Sequence, residues 1–355
     1  MSADLSQQLQ QRIQHAYEAK LALQIVGGNS KSFYGRSVAA ETLSLAGHSG
    51  VLNYEPTELV ITARAGTPLK EVEALLNQNG QMLPFEPPAF SEQATIGGTV
   101  ACNLSGPRRA YAGAARDYLL GCKIINGKGE ILTFGGEVMK NVAGYDVSRL
   151  MAGAMGTLGV LLEVSLKVLP KPEMELTRLF NCSANDAIEK MHAWSQTPLP
   201  ISATSFHDSV LSVRFSGAAK AVNAAVNHSG GEINEDAEKY WHDLKEHRLD
   251  FFNTDKPLWR LSLASDIESL ALENSAADYL YEWGGALRWL KTDSPAAEIQ
   301  AAMEKIDGHA SIFRHTDQVN VFQPLTPALM RIHKNLKMAF DPHNILNPGK
   351  LYTEL

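Results

Sequence analysis

The chain has 355 residues, of which 45% are hydrophobic and 20% charged, with a formal net charge of −7. That length exceeds one ordinary core and predicts two domains, and the composition is that of a folded chain rather than a disordered one. Net acidity without a Lys/Arg cluster argues against a nucleic-acid partner, and no apolar run approaches the length of a membrane span.

The start, "MSADLSQQLQQRIQ", lacks the charged-then-apolar order of a secretory signal; Leu5, Leu9, Ile13 and Tyr17 instead recur at helical spacing. A short apolar run from Leu21 to Val26 leads into Gly27-Gly28. "ELVITARAG" predicts a strand over 59–63, and Thr67-Pro68 is expected to cap and open a helix with a buried stripe of Leu69, Val72, Leu75 and Leu76, stopped at Gly80. "LLGCKIINGKGEILTF" reads as two strands joined by a turn over 126–129. In "GVLLEVSLKVLP", Val160, Leu162, Val164, Leu166 and Val168 alternate with their neighbours as a strand does. Beyond Lys171, the strand-like "TSFHDSVLSVRFSG" alternates with helical "SANDAIEKMHAW" and "AAEIQAAMEKIDG", a pattern that predicts an antiparallel sheet with helices on one face. A helix over 327–340 and a Pro/Gly-rich tail close the chain.

Composition divides at Pro170-Lys171-Pro172: 20 of the 27 glycines precede Lys171, and all five tryptophans follow it. Backbone-dominated loops in the first part and bulky packing in the second imply a cofactor domain followed by a domain of another kind. Four glycine-rich stretches stand out: "VGGNSKSFYG" (26–35), "ATIGGTVACNLSG" (94–106), "KNVAGYDVSRL" (140–150) and "GAMGTLGV" (153–160). Any one alone reads as a turn. Four of them interleaved with strands suit a ligand with a long anionic spine, such as a dinucleotide, because consecutive amides form concave nests for phosphate oxygens and glycines let backbone come close. No G-x-G-x-x-G follows the first strand. The nearest approach to a P-loop, Gly121 to Lys128, has the wrong spacing and Gly129 where Ser/Thr would hold magnesium. Cys102, Cys122 and Cys182 are odd in number and have no metal-binding spacing, so free thiols and a cytoplasmic chain are expected.

Several motifs, in order, carry a resemblance: "PTELVITARAGTPL", "ATIGGTVACNLSGPRR", the run from "RDYLLGCKIING" through "GTLGVLLEVSLKVLPKP", and the terminal "FDPHNILNPGKLY". They resemble the flavoproteins of the p-cresol methylhydroxylase (PCMH) and vanillyl-alcohol oxidase type. More narrowly, with "TPLPISA" (197–203) and "WGGALRWLK" (283–291), they resemble the E-type FAD-binding subunits of bacterial glycolate oxidases, or glycolate dehydrogenases. The resemblance implies an α+β fold: a PCMH-type FAD-binding domain of two α/β subdomains over 1–172, an α+β cap with an antiparallel sheet over 173–326, and a helix and tail over 327–355 returning to the FAD domain. It implies that Gly27, Gly28, Asn29, Ser30 and Lys31 cradle the pyrophosphate, and that Thr95, Ile96, Gly97, Gly98 and Thr99 present amides to phosphate and ribitol. Asn103, Ser105 and Arg108 are expected nearer the flavin ring, with Arg109 facing solvent or a partner. Gly144, Gly156, Thr157 and Val160 are expected at the adenosine end, and Asn347 and Lys350 back at the flavin. A cation beside the flavin would favour its reduced, anionic form.

Departures from the relatives matter as well. Relatives with covalent FAD attach it through His, often in the first glycine loop; here that loop carries Asn29 and no His, so noncovalent FAD is expected, with Cys102 a small buried residue. The paralogous catalytic subunit carries an H-x-G-D-G-N-x-H segment that this chain lacks. His309, His315 and Asp317 do not reproduce it, and no metal is expected. A hydroxy-acid carboxylate would need an arginine clamp. Arg288 and Arg260 are the candidates, with a salt bridge or stacking on Trp283, Trp289 or Trp259 as the structural alternative. His242 and His247 read as parts of a polar, exposed helix. The implied activity is oxidation of glycolate, with D-lactate a second candidate, to the 2-oxo acid, with electrons passing to an iron–sulfur partner. The chain has no cysteine pattern for a cluster of its own. Partners would be the paralogous FAD subunit and the iron–sulfur subunit, and any membrane association would come through them. The alternatives are a stand-alone FAD-dependent hydroxy-acid dehydrogenase and a structural subunit that has lost FAD.

Overall fold

The computed structural model describes residues 3–136, 146–267, 270, 278–314 and 320–355. The chain forms two compact units. The first comprises Met1–Ser105, Ala114–Pro170 and Leu325–Leu355; the second comprises Gly106–Gly113 and Lys171–Pro324. The eight residues 106–113 therefore leave the first unit and belong to the second, an excursion that the division at Lys171 does not anticipate.

The first unit holds a five-stranded antiparallel sheet in the order Val51–Glu55, Val60–Arg64, Val160–Lys167, Leu119–Ile125, Ile131–Gly135. Val160–Lys167 lies in the middle of it, which is why Leu161 and Ser165 on its second face are buried along with Val160, Leu162, Val164 and Leu166. Burying each large aliphatic side chain contributes roughly 1.5–3 kcal/mol. The turn before Ile131–Gly135 is held by Asn126, whose Oδ1 accepts from the amides of Lys128 and Glu130. A separate parallel pair, Leu23–Val26 with Glu41–Ser44, carries the first glycine loop at its end. The opening helix, Ser6–Ala19, buries Leu9, Ile13 and Ala16. Helix Leu69–Gln78 buries Leu69, Val72 and Leu76 as the spacing predicts. Thr67 does not cap it: its hydroxyl turns back to donate to the Arg64 carbonyl at 2.6 Å and accepts from the Gly50 amide, because the chain closes a tight turn there.

The second unit is an eight-stranded antiparallel sheet. Its hairpin, Ile201–His207 and Val210–Gly217, turns on Asp208 and Ser209, both left-handed. Helices Ala184–Ser195 and Ala219–Ser229 cover Leu211, Val213 and Phe215 of that hairpin. Ser183 caps the first of these helices by accepting from the Asp186 amide at 3.2 Å. No helix among the described residues is long and apolar enough to cross a membrane.

Candidate cofactor cleft

The first unit contains a cleft of about 1170 Å3, including the part open to solvent. Its walls are strand Leu23–Val26 with the loop after it, the helix Ile96–Cys102, the 155–159 turn, and the tail at Asn347 and Lys350. Among the described residues lining it, the charged groups are Lys31 and Lys350; no carboxylate and no histidine is among them.

In the first loop, Asn29 sits in the left-handed region at φ 57°, a conformation that Asn tolerates better than most residues. The amides of Gly28, Asn29 and Ser30 donate to no described protein acceptor, so this turn is a nest of available N–H groups. Lys31 is buried, with Nζ 3.4 Å from both Ser30 Oγ and the Ala89 carbonyl and over the Phe90 ring. Across the cleft, burial pushes the Lys350 ammonium below the ordinary lysine range. Burial also pushes the Cys102 thiol up, while the nearby charges of Lys31 and Lys350 pull it down. A desolvated ammonium such as that of Lys350 costs less once an anion joins it.

The glycines have two different reasons. A Cβ on Gly28 would overlap the Gln93 carbonyl, and one on Gly97 would lie 2.5 Å from the Ala65 Cβ and 2.8 Å from its carbonyl oxygen. These two glycines let the protein's own segments close together. At Gly98 a Cβ would meet only Thr95 Oγ1, at 3.2 Å, so this is the glycine whose missing side chain leaves the cleft wall open. Thr95 caps the helix by accepting from the Gly98 amide. Gly156 packs on Asn347, whose Nδ2 donates to the Met155 carbonyl at 2.6 Å and whose Oδ1 accepts from the Ile25 amide at 2.7 Å.

Gly27 to Lys31, Thr95, Gly97, Gly98, Gly156, Asn347 and Lys350 thus come together in the cleft. The remaining expected residues do not line it. Ile96 and Val160 are core. Thr99 is buried within helix Ile96–Cys102, and Thr157 donates its hydroxyl to the Ala154 carbonyl. Gly144 lies outside the described residues. Asn103 and Ser105 accept from the amides of Arg116 and Ala115, fastening the chain on either side of the 106–113 excursion. Arg108 corrects the expectation of a flavin-side cation: it belongs to the second unit, where its guanidinium pairs with Glu175 and donates to Ser216 at 3.1 Å. Arg109 stacks on Trp283, whose indole donates to the Gly106 carbonyl. Cys102, expected to be only a small packing residue, lines the cleft. Its place at the end of a seven-residue helix after Thr95 is the signal that could have found it.

The arginine candidates separate. Arg288 is fully buried, donates to the carbonyls of Gly285 and Ile267 and lies over Tyr281, so its guanidinium is structural rather than a carboxylate clamp. Arg260 is half-buried over Trp283. His247 is not on an exposed helix. It follows helix Ala237–Lys245 and stacks on Phe252 with 3.9 Å between ring centres; its pKa is well below the usual histidine range, first by burial and then by Arg314 and Arg260. His309 opens strand His309–Arg314, and His315 and Asp317 lie outside the described residues.

A family model for the FAD binding domain matches residues 3–135, and one for the C-terminal domain of FAD linked oxidases matches residues 296–351. Glycolate oxidase subunit GlcE of Escherichia coli (strain K12) is 47% identical over 352 residues, 99% of each chain. Glycolate oxidase subunit GlcD of Bacillus subtilis (strain 168) is 34% identical over 129 residues, 36% of this chain and 27% of that one. Among solved structures, an alkyldihydroxyacetonephosphate synthase superposes with a TM-score of 0.68 over 97% of this chain and 76% of its own, at 16% identity, a likeness of fold alone. The cleft suits a dinucleotide with two phosphates, and with a relative matched from end to end, this chain belongs to the FAD-linked oxidase family, in the line of the glycolate oxidase E subunits.

Proposed function

We propose that this chain is the FAD-binding subunit of a glycolate-oxidising complex and holds FAD noncovalently in the cleft of its first unit. The observation that carries the reading is a cleft whose charged lining residues, among those described, are Lys31, next to a turn with available amides, and Lys350 from the tail. The amides of Gly28 to Ser30 with Lys31 would hold the pyrophosphate, and the open wall at Gly98 would admit the ribityl chain. Asn347 would fix the tail so that Lys350 places its ammonium against an anionic edge of the cofactor. With no histidine among the described lining residues, the cleft favours reversible binding.

Bound FAD would supply the acceptor for the hydride equivalent lost when a 2-hydroxy acid becomes its 2-oxo acid, with the hydroxyl proton released. The chain's own residues bind and orient the cofactor and exclude water from its buried edge. Oxidation of glycolate, with D-lactate a further candidate, is assigned to the complex, and the electrons pass to an iron–sulfur partner. The proposed partners are a paralogous flavoprotein subunit and that iron–sulfur subunit, with any membrane association arising through them. The test is anaerobic addition of glycolate to the FAD-loaded chain, alone and in the assembled complex. Flavin bands that persist in the isolated chain and bleach in the complex support the reading. Bleaching of the isolated chain would establish the second reading, a stand-alone hydroxy-acid dehydrogenase, for which half-buried Arg260 on Trp283 is the candidate clamp.

A further inference from the structure

We propose that Lys337 and Asp341 are positioning residues of the cofactor cleft: as a buried ion pair they set the register in which the tail delivers Asn347 and Lys350 to it. The inference rests on the reading of the cleft as the FAD site.

On the 14-residue helix Pro327–Phe340, the one residue that is buried is charged, Lys337. Lys337 is 6% exposed, and all three donors of its ammonium are used: by Asp341 Oδ2 at 2.8 Å, the Thr157 carbonyl at 2.7 Å and the Leu346 carbonyl at 2.7 Å. Asp341 is 1% exposed, and its carboxylate accepts from the amides of Ile345 at 3.1 Å and Leu346 at 2.7 Å. Gly127 makes room for it: a Cβ there would lie 2.7 Å from the Asp341 Cα and Cβ, and the Gly127 amide donates to the Phe340 carbonyl.

The pair therefore fixes the turn that ends at Leu346 and ties it to the 154–157 segment. The next residue is Asn347, held at φ 44° by bonds to Leu23, Ile25 and Met155. Three residues further on stands Lys350, whose amide donates to the Asn347 carbonyl. A buried ion pair is weak evidence for stability, because apolar residues of similar volume usually fill such a space as well or better. What two apolar side chains do not supply is a fixed register, since they have no preferred partner among two carbonyls and two amides.

This distinction gives the test, made on the full chain. In the double substitution Lys337→Met with Asp341→Leu, the core refills. The proposal expects a chain that still folds, with its apoprotein unfolding midpoint lowered because the carbonyls of Thr157 and Leu346 and the amides of Ile345 and Leu346 lose their partners. It also expects at least tenfold weaker FAD binding by titration, and at least tenfold faster amide exchange at Ile345 and Leu346 in the apoprotein. Unchanged FAD affinity together with unchanged exchange in the tail would overturn it. If the double variant does not fold, Asp341→Asn, which keeps the shape and one acceptor, is expected to show both effects at several-fold size; its binding and exchanging like the unsubstituted chain would equally overturn the proposal. The exchange readout needs no cofactor, so a chain that binds no FAD at all would refute the functional reading while leaving this measurement to decide the positioning role.

Discussion

Adjacent glycines in one helix should respond in opposite ways to the same substitution. Gly97 and Gly98 both lie in Ile96–Cys102, and replacing glycine by alanine in a helix contributes up to about 1 kcal/mol through lost backbone freedom. At Gly97 the new methyl would sit 2.5 Å from the Ala65 Cβ and 2.8 Å from its carbonyl oxygen, and the Gly97 amide is itself bonded to that oxygen. Backbone must part from backbone, and overpacking of that kind costs about 1–3 kcal/mol. At Gly98 the methyl meets only the Thr95 hydroxyl at 3.2 Å, so Gly98→Ala should stay within about 1 kcal/mol of the parent. Thermal unfolding of the apoprotein measures both, at about 2–4 °C per kcal/mol for a domain of this size. Gly98→Leu adds the functional arm: it should fold and yet copurify with little FAD, because the side chain grows into the cleft wall. A Gly97→Ala chain as stable as the parent, or a Gly98→Leu chain with full FAD content, would refute the geometry described for this helix.

Other perturbations follow from the same contacts. If Lys350 bonds an anionic edge of the cofactor as proposed, Lys350→Met would remove a charge-assisted hydrogen bond worth about 1.5–3 kcal/mol, and FAD should bind roughly 10–150-fold more weakly in equilibrium titrations near neutral pH. Because burial lowers the Lys350 pKa, the parent's FAD affinity should fall as pH rises through that lowered value and the ammonium is lost, while the variant's titration stays flat over that range. In the apoprotein the sign is opposite. Stability should rise with pH between the lowered folded pKa and the ordinary lysine value, since the unfolded chain then binds more protons, and Lys350→Met should abolish that rise. Arg288→Met leaves the carbonyls of Gly285 and Ile267 without their donor and should destabilise the second unit by about 1–3 kcal/mol per lost bond, with FAD content unchanged; unaltered stability with loss of turnover alone would restore the clamp. Arg108→Met should retain FAD, as its partners are Glu175 and Ser216, and a colourless but folded variant would return Arg108 to the flavin.

Local signals were legible where one segment decides its own structure. The spacing of Leu9 and Ile13, the alternation from Val160 to Val168 and the first glycine loop could all be seen without partners. The site was legible in outline through its glycines, but their number overstates the cofactor's share. Gly28 and Gly97 serve contacts with Gln93 and Ala65, which are remote in sequence or on another element. Arg108 was misplaced because its partner, Glu175, lies 67 residues away, and nothing local announces that residues 106–113 join the second unit with it. Arg288 could be read as either a candidate clamp or a structural residue, because nothing near it in sequence announces that it is fully buried against carbonyls. Lys337 and Asp341 were invisible for a related reason: a Lys and an Asp four apart at a helix end read as a surface pair, and only the tail folding back over them buries both.

The most direct measurement is the flavin content of the purified full chain: its visible spectrum, and the FAD released when the protein is precipitated with acid. The account predicts flavin absorbance and about one FAD per chain in the supernatant, recoverable by adding FAD back to the apoprotein. A folded chain that is colourless and takes up no added FAD, or flavin that stays with the precipitated protein, would contradict it.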